Sequence, residues 1–169
     1  AQGLMAGINA ARKVQGKTPV VLDRSQAYIG VLIDDLVTKE TSEPYRMMTS
    51  RAEYRLLLRQ DNADIRLTDI GHDIGLIDDE RYSKFILKKK QIEKEIYRLE
   101  NTMVGANSTI QKFLEKKNST GLKTAASLAE LIRRPELSYE DIEEIDEGRE
   151  KLPDDVIEQI NITIKYKGY

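Results

Sequence analysis

A mainly α-helical fold is what this sequence predicts, and three patterns predict it. Tyr28, Ile29, Leu32, Ile33, Leu36 and Val37 follow the three-four rhythm of a buried helical face. Phe85, Ile92, Ile96, Leu99 and Met103 make one apolar seam, spaced by seven, four, three and four, as in a bundle or helical hairpin. Helix-start signals precede several such stripes, among them Ser50 ahead of Glu53 and Pro153 ahead of two aspartates.

The first element is a helix over 1–14 with Leu4, Met5, Ile8 and Ala11 on one face. Gly16, Thr18 and Pro19 break it. Residues 17–23 form an extended connector in which Val20 and Val21 suit a short strand. Ser25 stands where it can cap the second helix, and residues 38–44 loop onward. Pro44 disfavours helix just before it. The Ser50–Glu53 spacing then predicts a capped helix over 50–59.

Asp61 is placed to cap a helix bearing Ile65, Leu67 and Ile70, and Gly75 to take the left-handed conformation that ends it. Asp78, Asp79 and Glu80 put negative charge at the start of the long seam-bearing helix, favourable against its dipole. Residues 105–108 interrupt the pattern. A weaker helix over 109–117 and a polar turn region over 118–124 follow. A short helix over 127–134 is stopped by Pro135. Ser138, with Asp141 three residues on, caps another helix through Ile145. Val156, Ile160 and Ile164 give a last helical stripe. Alternation of Ile160, Ile162, Ile164 and Tyr166 would also suit a strand, but Pro153, Asp154 and Asp155 read as a helix start. No internal repeat is evident.

Composition narrows the chemistry. The 169 residues include no cysteine, which removes disulfides and thiolate zinc. The single His72 argues against a histidine metal cluster or a Ser/His triad, and reads as an exposed or capping residue. No apolar run approaches the ~20 residues needed to span a bilayer, and no signal-peptide pattern is present. A soluble, cytoplasmic protein is expected.

The formal charge of −2 hides an asymmetry. Residues 1–135 carry 23 Lys/Arg against 18 Asp/Glu, while residues 136–158 carry 2 against 11. A basic front section suits a polyanion. The acidic section reads as the wet side of two short helices, or else as a surface for a basic protein partner. The chain starts inside a helix without an initiator methionine and ends abruptly, so a piece of a longer protein is expected.

Residues 43–59, EPYRMMTSRAEYRLLLR, hold the most informative chemistry. On the predicted helix Arg51, Arg55 and Arg59 recur every fourth residue and share a face, with Arg46 in the loop ahead. Aligned guanidinium forks suit phosphate, because each donates two parallel hydrogen bonds. Such rows also solvate surfaces or pair with carboxylates, and Glu53 is at hand to take one up. Asp34 and Asp35, adjacent on a helix, point about a hundred degrees apart. They make a poor acid–base pair, and a cap, or a partner for Arg24 or Arg46, is the role expected of them. Asp61 and Asp64 supply too few oxygens for a metal. Lys88, Lys89 and Lys90 read as a solvated face first and phosphate contacts second. Residues 61–90 outline a DNA-binding helix-turn-helix, yet Asp78, Asp79 and Glu80 stand where base-reading side chains belong. The GxGxxG dinucleotide fingerprint is absent.

The stretch RSQAYIGVLIDDLVTKETSEPYRMMTSRAEYRLLLRQDNADIRLTDIG closely resembles the tRNA uridine 5-carboxymethylaminomethyl modification enzymes, the MnmG (GidA) family of flavoproteins. QGLMAGINAAR near the start, and LIRRPELSYEDI and IKYKGY near the end, resemble the same family in the same order. The resemblance implies a C-terminal helical-bundle domain over 25–169, preceded at 1–24 by the tail of an FAD-binding domain and a connector. It implies an intact enzyme that uses FAD, NADH and methylenetetrahydrofolate to install an aminomethyl-type group on the wobble uridine of tRNA. A GTPase partner, MnmE, a homodimer and no membrane association belong to the same expectation. The catalytic thiols and most of the flavin site would then lie upstream, with only Gln2 and Gly3 near FAD. The YRM and EYRL words match the family, so Arg46 and Arg55, supported by Arg51 and Arg59, are the expected tRNA contacts. Two other readings remain: a module that docks the GTPase through the acidic segment, and a helix-turn-helix DNA binder.

Overall fold

The computed structural model describes residues 1–39 and 42–167. Part of the expected loop over 38–44 and the end of the IKYKGY word therefore lie outside the described residues. The fold is mainly α, as expected. In order come α1 (Gln2–Val14), α2 (Tyr28–Thr38), α3 (Ala63–Asp73), α4 (Asp79–Asn101), α5 (Ser108–Lys116), α6 (Leu128–Ile132) and α7 (Asp154–Tyr166). Single 3-10 turns occupy Thr49–Arg51 and Asp141–Ile145. Two short strands, β1 (Met103–Val104) and β2 (Ala126–Ser127), pair antiparallel with Met103 opposite Ser127.

Two compact units divide the chain, Ala1–Phe85 and Ile86–Tyr169. The first has a small interior, with Val31, Ala52 and Leu58 clustered beside Tyr28. So little apolar burial leaves much of its order to polar contacts. α1 ends at left-handed Gly16, and Asn9 then brackets Val20: its Oδ1 accepts from the Val20 amide at 2.7 Å and its Nδ2 donates to the Val20 carbonyl at 2.9 Å. That side chain takes the place of a neighbouring strand, and 17–23 forms neither strand nor helix. α2 starts without the Ser25 cap. The Ser25 hydroxyl donates instead to Asp23 Oδ1, 2.6 Å away. Nor does Asp61 cap α3. Asn62 holds that position, and Asp61 pairs with Arg59. Gly75 is left-handed, at φ +82°, just beyond α3 as expected.

The second unit owns the larger core, in which Leu99, Leu114, Leu131, Ile132, Ile142 and Ile160 are fully enclosed. The α4 seam is buried at Phe85, Ile92 and Leu99, with Ile96 partly buried, but stops there. Met103 lies past the end of the helix, on β1, and is exposed. A reciprocal pair of bonds leads into the turn at 141–145, the Ser138 amide donating to Asp141 Oδ2 at 2.8 Å and the Asp141 amide to Ser138 Oγ at 3.3 Å, while Glu140 at the turn's own first position makes no side-chain cap. The segment winds as 3-10 rather than the expected α-helix. α7 is a helix and not a strand, with Val156, Ile160 and Ile164 buried on one face.

Buried inside this unit is a charged knot. Arg98 forks onto Glu95 and Asp146 at 2.6–2.9 Å, and the Tyr139 hydroxyl donates to Glu95 at 2.8 Å. Much of the acidic segment is neutralised in the same way. Lys88 meets Asp155, Lys94 meets Glu150, Lys116 meets Glu144 and Lys117 meets Asp141.

Candidate nucleic-acid interface

The arginine segment does not form the predicted helix over 50–59. Thr49–Arg51 is one 3-10 turn, and residues 53–57 are turns held by the Leu57 and Leu58 amides donating to the Tyr54 carbonyl. The reason is a long-range competitor. Arg24 takes Glu53 with two donors of one guanidinium edge, Nε to Oε2 at 3.0 Å and Nη2 to Oε1 at 2.8 Å. Arg24 Nη2 also claims the Arg51 carbonyl at 3.0 Å, the oxygen that an α-helix would offer to the Arg55 amide. Glu53 is thereby removed from the capping box with Ser50. Burial of Ala52 and Leu58 against Val31 fixes the segment at two further points.

Asp35 on α2 lies at the centre of this arrangement, its side chain 0 % exposed. Oδ1 accepts from Arg24 and from Lys39, each at 2.7 Å, and Oδ2 from the Tyr45 hydroxyl at 2.7 Å. Arg51 stands 3.9 Å from Oδ2 with its guanidinium 4.6 Å from the centre of the Tyr45 ring. Hydrogen bonding from Lys39 first, then from Tyr45 and Arg24, holds the Asp35 carboxyl well below the usual carboxylate range against the opposing effect of burial. Arg24 is pushed up by Glu53 and Asp35, so it stays charged throughout. The Asp34–Asp35 pair is thus a partner for Arg24, one of the two roles expected of it.

The four expected arginines therefore separate. Arg51 is half-buried beside Asp35 and Tyr45. Arg59 clamps Asp61 at 2.9 and 3.0 Å and donates to the Leu56 carbonyl at 3.0 Å. Its own carbonyl accepts from Arg66 at 3.0 Å, and Arg66 also reaches the Gln26 carbonyl. Arg46 and Arg55 are exposed, and among the described residues neither side chain makes an ion pair or hydrogen bond. Exposed Met47, Met48, Tyr54, Leu56 and Leu57 surround them in sequence.

The remaining candidates are quickly placed. Gln2 and Gly3 are exposed in the first turn of α1. One side-chain amide and one glycine are too little to hold a dinucleotide, so the two do not by themselves fit FAD. Among the described residues no cluster of His, Asp and Glu could hold a metal ion. His72 stacks on Tyr82 with ring centres 3.8 Å apart and pairs with Asp79 at 2.9 Å. α4 opens on exposed Asp79 and Glu80, a poor surface to set against phosphate. No described helix is long and apolar enough to cross a membrane.

Comparison with known proteins fits the helical architecture. The model of the tRNA modifying enzyme MnmG/GidA C-terminal helical domain matches residues 79–169. The tRNA uridine 5-carboxymethylaminomethyl modification enzyme MnmG of Lachnoclostridium phytofermentans is 65% identical over 169 residues, all of this chain and 27% of its own length. That of Listeria innocua is 58% identical over 168 residues, 99% of this chain and again 27% of its own. Aquifex aeolicus GidA, in its form II crystal, superposes with a TM-score of 0.84 at 37% identity, covering 99% of this chain and 26% of that one. The chain thus spans about a quarter of the length of the relatives it matches. The family model covers more than half of the chain and relatives align along all of it: the chain belongs to the MnmG/GidA family.

Proposed function

We propose that this chain is the tRNA- and partner-binding region of an enzyme that modifies the wobble uridine of tRNA, and that Arg46 and Arg55 hold the tRNA backbone. One observation carries the assignment of residues. Within 43–59, Arg51 and Arg59 face internal partners, whereas Arg46 and Arg55 are exposed and have no ion pair or hydrogen bond among the described residues. A guanidinium with no internal partner costs nothing in broken contacts when it meets phosphate. Arg51 and Arg59 then support the surface from within.

The longer protein, on this reading, uses FAD with NADH and methylenetetrahydrofolate, works as a homodimer in the cytoplasm and partners the GTPase MnmE. Its catalytic centre lies outside this chain. Docking of MnmE through the acidic segment alone, without tRNA contact, is the weaker alternative, since Asp141, Glu144, Asp146, Glu150 and Asp155 already have internal partners. A DNA reader is weaker still, given the acidic start of α4.

Binding of unmodified tRNA by the full-length protein across a salt series tests this. Each lost phosphate contact lowers the slope of log affinity against log salt by about one unit. The variant Arg46→Ala, Arg55→Ala is expected to bind more weakly and to lose about two units of slope. Unchanged affinity and slope in a folded variant would overturn the assignment. Duplex DNA competing as well as tRNA would favour the helix-turn-helix reading.

A further inference from the structure

We propose that Asp35 is a positioning residue for tRNA binding: with Arg24 it grips the 45–53 segment at both ends and so fixes where Arg46 and Arg55 stand. The proposal rests on the reading of those two arginines as phosphate contacts.

Three grips connect the segment to α2 and the turn before it. Tyr45, immediately ahead of Arg46, donates its hydroxyl to Asp35 Oδ2. Glu53, two residues before Arg55, is held bidentately by Arg24, which is itself anchored on Asp34 and Asp35. Between them the Arg51 carbonyl accepts from Arg24, and the Arg51 guanidinium lies over the Tyr45 ring. Local backbone bonding over the same stretch is sparse: the Arg51 amide donates to Met48 and the Ala52 amide to Thr49. Neither helix nor strand therefore sets the path of residues 45–48. The side-chain bonds centred on Asp35 set it.

Electrostatics gives the grip its direction. Arg24, Lys39 and Arg51 are three cations converging on one buried carboxylate. Asp34 and Glu53 are the other anions facing them. Replacing the Asp35 carboxylate by an amide leaves the cations mutually repelling and removes the charged acceptor of the Tyr45 hydroxyl. Arg46 and Arg55 remain present and charged, but their spacing is no longer fixed before tRNA arrives. Binding must then order them, and affinity falls.

A cycle of variants in the full-length protein tests this. Asp35→Asn is expected to weaken tRNA binding roughly tenfold, about the loss for ordering two long side chains on binding. The salt slope should hold at the parent value, because no phosphate contact is removed. Added to Arg46→Ala, Arg55→Ala, the same change should weaken binding no further, since Asp35 acts through those arginines. Tyr45→Phe removes only the hydroxyl, keeps the ring beneath Arg51, and serves in the same cycle should Asp35→Asn fail to fold. Affinity unchanged in folded Asp35→Asn and Tyr45→Phe, or losses that multiply with those of the arginine pair, would overturn the proposal while leaving the arginine contacts standing. An arginine pair that can be removed without effect would overturn both.

Discussion

Gly30 sits where α2 passes over the backbone of the preceding turn. A β-carbon there would collide with the Asp23 carbonyl oxygen and stand 2.6 Å from that of Leu22. Both obstacles are main chain, which cannot swing aside as a side-chain tip would. Gly30→Ala is therefore expected to cost at least ~2 kcal/mol, as forced overpacking does. It would also displace Asp23–Arg24 and so the grip on Glu53. Urea unfolding of the variant checks this, and a midpoint equal to the parent's would refute it. Gly75 needs its glycine for another reason, a left-handed backbone with open space around the absent β-carbon. That second kind of glycine was legible in the sequence, because a helix end announces it. The first was not, since its obstacle lies seven residues away and depends on how the turn folds back. The arginines divide along the same line. Their identities and the Arg24–Asp34–Asp35 partnership could be read, but not that Arg24 would take Glu53 and deny the segment its helix.

Helix caps show how the same four-residue word can succeed or fail. Ser50-x-x-Glu53 and Ser127-x-x-Glu130 share the capping-box spacing, and only the second forms it. The Glu130 amide donates to Ser127 Oγ at 3.2 Å and the Ser127 amide to Glu130 Oε2 at 2.8 Å. α6 has five residues, too few to persist alone. Burial of Leu128, Ala129, Leu131 and Ile132 holds it in place, and among the described residues Glu130 has no ion pair that competes with the cap. Ser127→Ala should consequently cost about 1 kcal/mol, the usual worth of an N-cap. Ser50→Ala should stay within about 0.5 kcal/mol, as exposed substitutions do. Denaturant midpoints of the two variants decide, and equal losses would mean that the Ser50 hydroxyl has a role unseen in its exposed position. Long periodic helices such as α1, α4 and α7 were readable because one apolar stripe over several turns admits one solution. β1 and β2, two residues each, carry too little pattern to be read, and β1 takes up Met103, whose spacing alone would put it on the α4 seam.

At the scale of the whole molecule, many charges on the described residues are paired, so stability should form a plateau bounded by acid and base. Asp35, Asp141, Glu144 and Glu150 all have folded-state pKa values below their ordinary ones, led by hydrogen bonds from Lys39, Lys117, Lys116 and Lys94 respectively. A depressed carboxylate stabilises the fold fully above its unfolded value, about 4, and that contribution is lost as pH falls through the folded value. Tyr139 limits the other side. Burial first, and then its hydrogen bond to Glu95, push its hydroxyl up. The folded state thus keeps a proton that the unfolded chain releases near pH 10. Proton retention by the native state means that stability is intact below about pH 10 and declines as pH rises beyond it. Tyr139→Phe removes the titrating group along with one buried hydrogen bond, worth about 1 kcal/mol. At neutral pH the variant should therefore unfold earlier than the parent. Above pH 10 the gap should narrow, because the parent loses stability through Tyr139 and the variant does not. Tyr45 and Tyr82 are raised as well, so some alkaline decline persists in both. Thermal unfolding followed by circular dichroism from pH 3 to 11 measures the two curves. A gap that stays constant above pH 10 would mean that the Tyr139 hydroxyl titrates alike in folded and unfolded chains, which burial and contact with the Glu95 carboxylate do not allow.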